Sequence, residues 1–110
     1  MIGLLLAACA HVSDWPQSGR HDGEMCVATR SEPPNCGAVE LTLYPGLVLV
    51  RVSDIVYRLF LRDGQIDLML MHGNVQIDGF STSYTWGAEE LRFADPGKPV
   101  SYRIRRVNRS

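Results

Sequence analysis

With 110 residues, 45% hydrophobic and 21% charged, the chain has material for one domain with one modest core and too little for two. A formal net charge of −1 argues against bulk polyanion binding, and the composition argues against disorder. Charge is nonetheless uneven: residues 63–95 carry six acids against Arg92 alone, whereas every charged residue after Asp95 is basic.

The chain opens on the apolar run MIGLLLAACA. Residues 2–8 read either as a buried strand or first helical turns, with Cys9 a small buried hydrophobe, or as an export signal. The second reading follows from the absence of polar side chains and from Leu6-Ala7-Ala8-Cys9, small residues that a signal peptidase accommodates. Seven apolar residues cannot cross the roughly 30 Å hydrocarbon core of a bilayer. The segment resembles the lipobox of bacterial lipoproteins, in which Leu and two small residues precede the cysteine that is lipidated and becomes the mature N-terminus. It departs from that pattern in lacking a basic n-region and in the shortness of the run, as if a few residues such as Lys or Arg preceded Met1 in the cell. The resemblance implies that residues 1–8 are a signal segment, that Cys9 carries lipid, and that the protein sits in the bacterial cell envelope. By the same resemblance, Ala10 after the cysteine favours the periplasmic face of the outer membrane.

Residues 9–23 then read as the lipidated cysteine and a tether, polar and without periodicity apart from Trp15, which suits either a membrane-interface anchor or packing on the domain. The three cysteines are an odd number. If Cys9 takes lipid, Cys26 and Cys36 remain, to be bridged in an oxidising compartment or left as two buried thiols. Their spacing lacks the short pairing of zinc ligands, and His11 and His21 fall in the polar stretch, so no metal is expected.

From Glu24 to the C-terminus, short strand signals dominate. Residues 38–44 alternate, and Pro45-Gly46 supplies a turn that needs a positive φ at its second central residue. Residues 47–52 are apolar on both faces except Arg51, as in a central strand. Residues 56–62 and 65–71 flank Asp63-Gly64, a strong hairpin signal. Residues 75–78 follow a turn at His72-Gly73-Asn74 and are expected to break at Gly79. Residues 81–86 read as a strand, 87–93 as a further strand or a short helix, and 100–105 as a strictly alternating final strand after the turn at 95–99. No stretch holds the helical periodicity of a real helix. The expectation is an all-β domain over residues 24–110, a small antiparallel barrel or sandwich of about seven to nine short strands.

No nucleophile, base or phosphate-binding motif stands out: Gly-x-Ser-x-Gly, His-Glu-x-x-His and glycine-rich loops are missing, and His72 reads as an exposed turn residue. Neither a catalytic residue nor a cofactor is therefore expected. Arg103, Arg105 and Arg106 form a basic end that suits an outward-facing strand edge or contact with an acidic partner, and an envelope location makes nucleic acid irrelevant. Tyr84 and Trp86, among small polar residues, suit either a contact surface or the core. Tyr84-Thr85-Trp86-Gly87-Ala88 is similar to the Trp-then-Gly segment of the lysozyme-inhibitor barrels, although none of their inhibitory motifs occurs here. The functional expectation is a lipid-anchored envelope protein that binds a macromolecular partner, inhibitor- or immunity-like. The alternative is a structural or assembly lipoprotein subunit of an envelope machine.

Overall fold

The computed structural model describes residues 18–87 and 89–107. Eight strands follow one another: β1 (Gly19–Thr29), β2 (Glu32–Tyr44), β3 (Leu47–Val52), β4 (Ile55–Arg62), β5 (Gln65–His72), β6 (Val75–Gly87), β7 (Glu90–Ala94) and β8 (Val100–Arg106). Each pairs antiparallel with its neighbour in sequence, and β1 pairs with β8, so the sheet closes into a barrel with no helix among the described residues. Of the two architectures expected, the barrel forms. Closure gives most strand edges a partner, which short strands of this kind need.

The alternation read in the sequence sorts side chains to the two sides of the wall. Leu41, Val50, Leu59, Ile66, Leu91 and Ile104, from six different strands, are fully buried and fill the interior. Burying a side chain of this kind stabilises the fold by about 1.5–3 kcal/mol. Tyr57, Phe80, Phe93 and Tyr102 add an aromatic cluster against that core, with Phe93 stacked on Tyr102 at 5.0 Å and Tyr57 edge-on to Tyr102 at 6.2 Å. Such contacts hold strands distant in sequence together beyond their area burial.

The turns follow the expected chemistry. Gly46 (φ 75°) and Gly64 (φ 77°) take the left-handed conformation that a Cβ disfavours, closing Tyr44 onto Leu47 and Arg62 onto Gln65. Asp95 Oδ1 accepts the Gly97 N–H at 2.8 Å, fixing the β7–β8 turn through a local side-chain bond.

Three boundaries differ from the sequence reading. The barrel begins at Gly19, ahead of the Glu24 boundary, because the polar residues of the expected tether pair directly: His21 opposes Leu41 and Gly23 opposes Val39. At Gly23 a Cβ would lie 2.6 Å from the Leu41 side chain, so glycine is what lets that fully buried leucine lie over β1. The residues between Cys26 and Cys36 form the tip of a hairpin, with Arg30-Ser31 at its turn. Pro33 and Pro34 together oppose the single residue Ala28, since Val27 pairs with Asn35 and Thr29 with Glu32. A bulge tolerates prolines where a regular ladder would not. Finally, β6 runs unbroken through Gly79, the irregularity falling instead at Ile77, which is the extra residue between the Leu70–Asp78 and Met71–Gln76 rungs.

Candidate functional site

The outward side of the wall carries ion pairs on both halves of the barrel but differs in its apolar content. On β7, β8 and β1 it is charged and internally satisfied. Arg105 reaches Glu24 at 2.9 Å, Glu90 accepts from Arg92 at 3.0 Å, and Arg103 forms an ion pair with Glu90 at 3.7 Å. Acids and bases that are segregated along the sequence are thus interleaved in space, and Asp78 with Lys98, 3.0 Å apart, repeats the pattern across β6 and the β7–β8 turn. The basic end is a set of cross-strand ion pairs, the arrangement that keeps charged outward faces from pairing with other chains.

Over β3, β4 and β5 the outward side sets apolar residues among Arg51, Arg58, Arg62 and Asp67, with Arg51 3.8 Å from Glu40 and Arg62 2.8 Å from Asp67. Register places Leu47 beside Phe60, Leu49 in line with Arg58 and Met69, and Val56 beside Met71. These residues alternate with the core positions Val48, Val50, Leu59 and Leu68, so they lie on the opposite side of the wall. Most are half-buried; Met71 is buried. Among the described residues the exposed large hydrophobics are Tyr44, Val75 and Ile77, and two of them border this region: Tyr44 opposes Leu47 and Ile77 is the bulged residue beside Met71, whereas Val75 opposes His72 in the inner register. The signal was present in the sequence at residues 47–52, apolar on both faces except Arg51.

The residues singled out as a partner surface are not brought together. Arg103 and Arg105 point outward, while Arg106 follows the inward register of Tyr102 and Ile104 and is half-buried. Tyr84 and Trp86 lie on the inner side of β6, packed against the core and edge-on to each other at 6.3 Å. Of the two roles open to this pair, the core role is the one the geometry displays. Cys9, the segment 1–8 and Trp15 lie outside the described residues.

Cys26 and Cys36 face each other across β1 and β2 with their sulfurs at bonding distance, 2.07 Å. The Glu24 carboxylate, both sulfurs and no other group form a cluster within 4.8 Å among the described residues, but the sulfurs are joined and Glu24 is engaged by Arg105. His72 is exposed at the end of β5, where it pairs with Val75.

Burial and charge shift the titration of Tyr57, Asp78, Lys98 and Tyr102. The Tyr102 phenol is pushed up to about 12, by burial above all, with Tyr57, Asp95 and Asp78 adding negative charge nearby. Burial also raises Tyr57. The Asp78 carboxyl is held below the usual range by the hydrogen bond from Lys98 and then by the Gly79 N–H, and Asp78 in turn raises Lys98. These groups join the β7–β8 turn to β6, where β7 pairs with β6 only from Tyr84 to Gly87. Their chemistry is that of a closed rim.

No helix among the described residues is long and apolar enough to cross a membrane. The barrel's own polarity, apolar within and charged over much of its exterior, is the reverse of a membrane-spanning barrel. No family model, curated protein or solved structure matches the chain.

Proposed function

We propose that this protein is a lipid-anchored binding module of the bacterial cell envelope, held by acyl chains on Cys9 and engaging a protein partner through the outward face of β3–β5. The observation that carries the reading is the apolar content of that outward face: Leu47 adjoins Phe60, Val56 adjoins Met71, and Leu49 and Met69 flank Arg58. Apolar residues set among arginines suit an interaction surface, where aromatic residues, Met and Arg are enriched. Its Tyr44 border supplies the large, low-entropy contact area that interfaces favour.

The anchor rests on the lipobox-like Leu6-Ala7-Ala8-Cys9, and the Cys26–Cys36 pair supports it, because a structural bridge suits the oxidising periplasm. Several acyl chains on one cysteine, at about 0.8 kcal/mol per buried methylene, make release from the membrane negligible. Ala10 directs the reading to the outer membrane. The function class remains inhibitor- or immunity-like: a rigid barrel presented at a membrane, acting by contact.

Mass spectrometry of the protein purified from its native membranes tests the anchor: the chain should begin at an acylated Cys9, and Cys9→Ala should leave residues 1–8 attached and lipid absent. Equal solubility of the wild type and the Cys9→Ala variant, both retaining residues 1–8, would overturn it.

A further inference from the structure

A second surface follows from the length of β2. This strand runs Glu32–Tyr44, yet β3 pairs with it only along Glu40–Tyr44. Among the described residues, the edge of β2 that faces away from β1 therefore has no partner strand over residues 32–39, and residues 35–38 are exposed.

The backbone groups on that edge can be assigned. Cys26 and Cys36 have Cα atoms 4.0 Å apart, the close spacing of an antiparallel rung that exchanges no backbone hydrogen bonds. The N–H and C=O of Cys36 thus point away from β1, as do those of Ala38 two residues on. An independent bond agrees with this parity: the Asp22 C=O on β1 accepts the Val107 N–H, so even-numbered residues of β1 bond toward β8 and leave β2 to the odd ones. Pro33 and Pro34 end the free stretch with their missing donors. Cys36 and Ala38 are left with two donors and two acceptors, the complement of two hydrogen-bonded rungs.

A cavity of about 200 Å³ opens beside this edge, lined chiefly by Met25, Val27, Asn35, Gly37, Val39 and Val52. A strand laid in the lane that β3 vacates would turn the residue opposite Gly37 toward the inner side, since opposed residues share a face. At Gly37 a Cβ would meet nothing within 4 Å, so there is room for that incoming side chain.

We propose that the edge of β2 at Cys36 and Ala38 is a strand-addition site for an extended peptide carrying a β-branched aliphatic residue at its centre. Only a polypeptide backbone offers donors and acceptors at this pitch, and the mostly apolar cavity selects the central side chain. A second copy of the chain fits poorly. Setting Cys36 of one copy against Ala38 of the other brings Pro34 opposite Glu40, whose edge β3 already covers. The site is separate from the β3–β5 face and independent of the anchor.

The test is amide-resolved NMR of the purified full chain, bridge intact, titrated with the blocked peptide Thr-Thr-Val-Thr-Thr. Shifts should centre on residues 35–39, and the Cys36 and Ala38 amides, fast-exchanging in the free protein, should become protected. Ala38→Pro removes one outward donor and leaves the β1 ladder intact, so it should weaken binding roughly tenfold or more, as should filling the cavity by Gly37→Leu. Should either variant fail to fold, N-methylation of the peptide amides facing Cys36 and Ala38 must abolish binding to the wild type. Protection of these amides without peptide would overturn the proposal, whether constant, from another segment of this chain, or rising with concentration, from a second copy. So would undiminished binding of Ala38→Pro or of the methylated peptide, shifts centred elsewhere, or no shifts at any peptide concentration.

Discussion

The β7–β8–β1 wall and the β3–β4–β5 wall are alike within and differ without. Both send aliphatic side chains into the same core: Leu91 and Ile104 from one, Val50, Leu59 and Ile66 from the other. Outside, the first is tied by Arg105–Glu24 and Arg103–Glu90, and the second sets Leu47, Phe60, Val56 and Met69 among Arg51, Arg58 and the Arg62–Asp67 pair. Closure and core are satisfied by the inner faces alone. The outer faces are therefore free to differ, and that is where the molecule's work is expected to lie.

The largest effects should ignore the difference. Leu59→Ala on β4 and Ile104→Ala on β8 should each cost about 2–5 kcal/mol, read by denaturant unfolding, because both empty a fully buried site. A loss confined to one wall would break the comparison at its root. Next comes the bridge that staples β1 to β2: with a sequence separation of 10, reducing Cys26–Cys36 should remove about 2–3 kcal/mol. Unfolding with and without reductant measures it, and thiol alkylation of the unreduced, denatured protein should label neither cysteine.

Alkaline pH sharpens the account of the inner face. Tyr102 has its folded value raised to about 12, above the ordinary value of 10.0, so its neutral form is favoured by folding. Its contribution is fully present below pH 10 and is lost as pH rises through the raised value. Stability should fall between pH 10 and 12, and Tyr102→Phe should flatten that limb of the curve. The smallest effect is expected on the ion-paired exterior, where the Arg105→Gln change should shift stability by no more than about 1 kcal/mol.

The sequence showed the inner pattern well, because burial imposes a period of two. The strands at residues 38–44, 47–52, 56–62, 65–71 and 100–105 and the turns at Gly46 and Gly64 lie where alternation and positive-φ chemistry put them. It misled where polar residues pair without leaving an apolar trace. His21 and Asp22 look like tether yet lie in β1, and Pro33-Pro34 looks like loop yet lies in a bulge of β2. Candidate surfaces were harder still, since adjacency across strands depends on register. Tyr84 and Trp86 could be read as core or contact until β6 turned them inward. The row Leu47–Phe60 joins residues that no local window connects, and the free edge at Cys36 and Ala38 exists only because β3 is shorter than β2.

The central claim is that the outer face of β3–β5, and not that of β7, β8 and β1, holds the partner. Its direct test is cross-linking and recovery of the lipidated protein from its native envelope, comparing the wild type with Phe60→Lys and with the joint Arg103→Gln and Arg105→Gln variant. Both variants should fold, and a protein cross-linked to the wild type should be lost with Phe60→Lys and retained with the arginine variant. Retention in both, or loss with the arginine variant alone, would contradict the account.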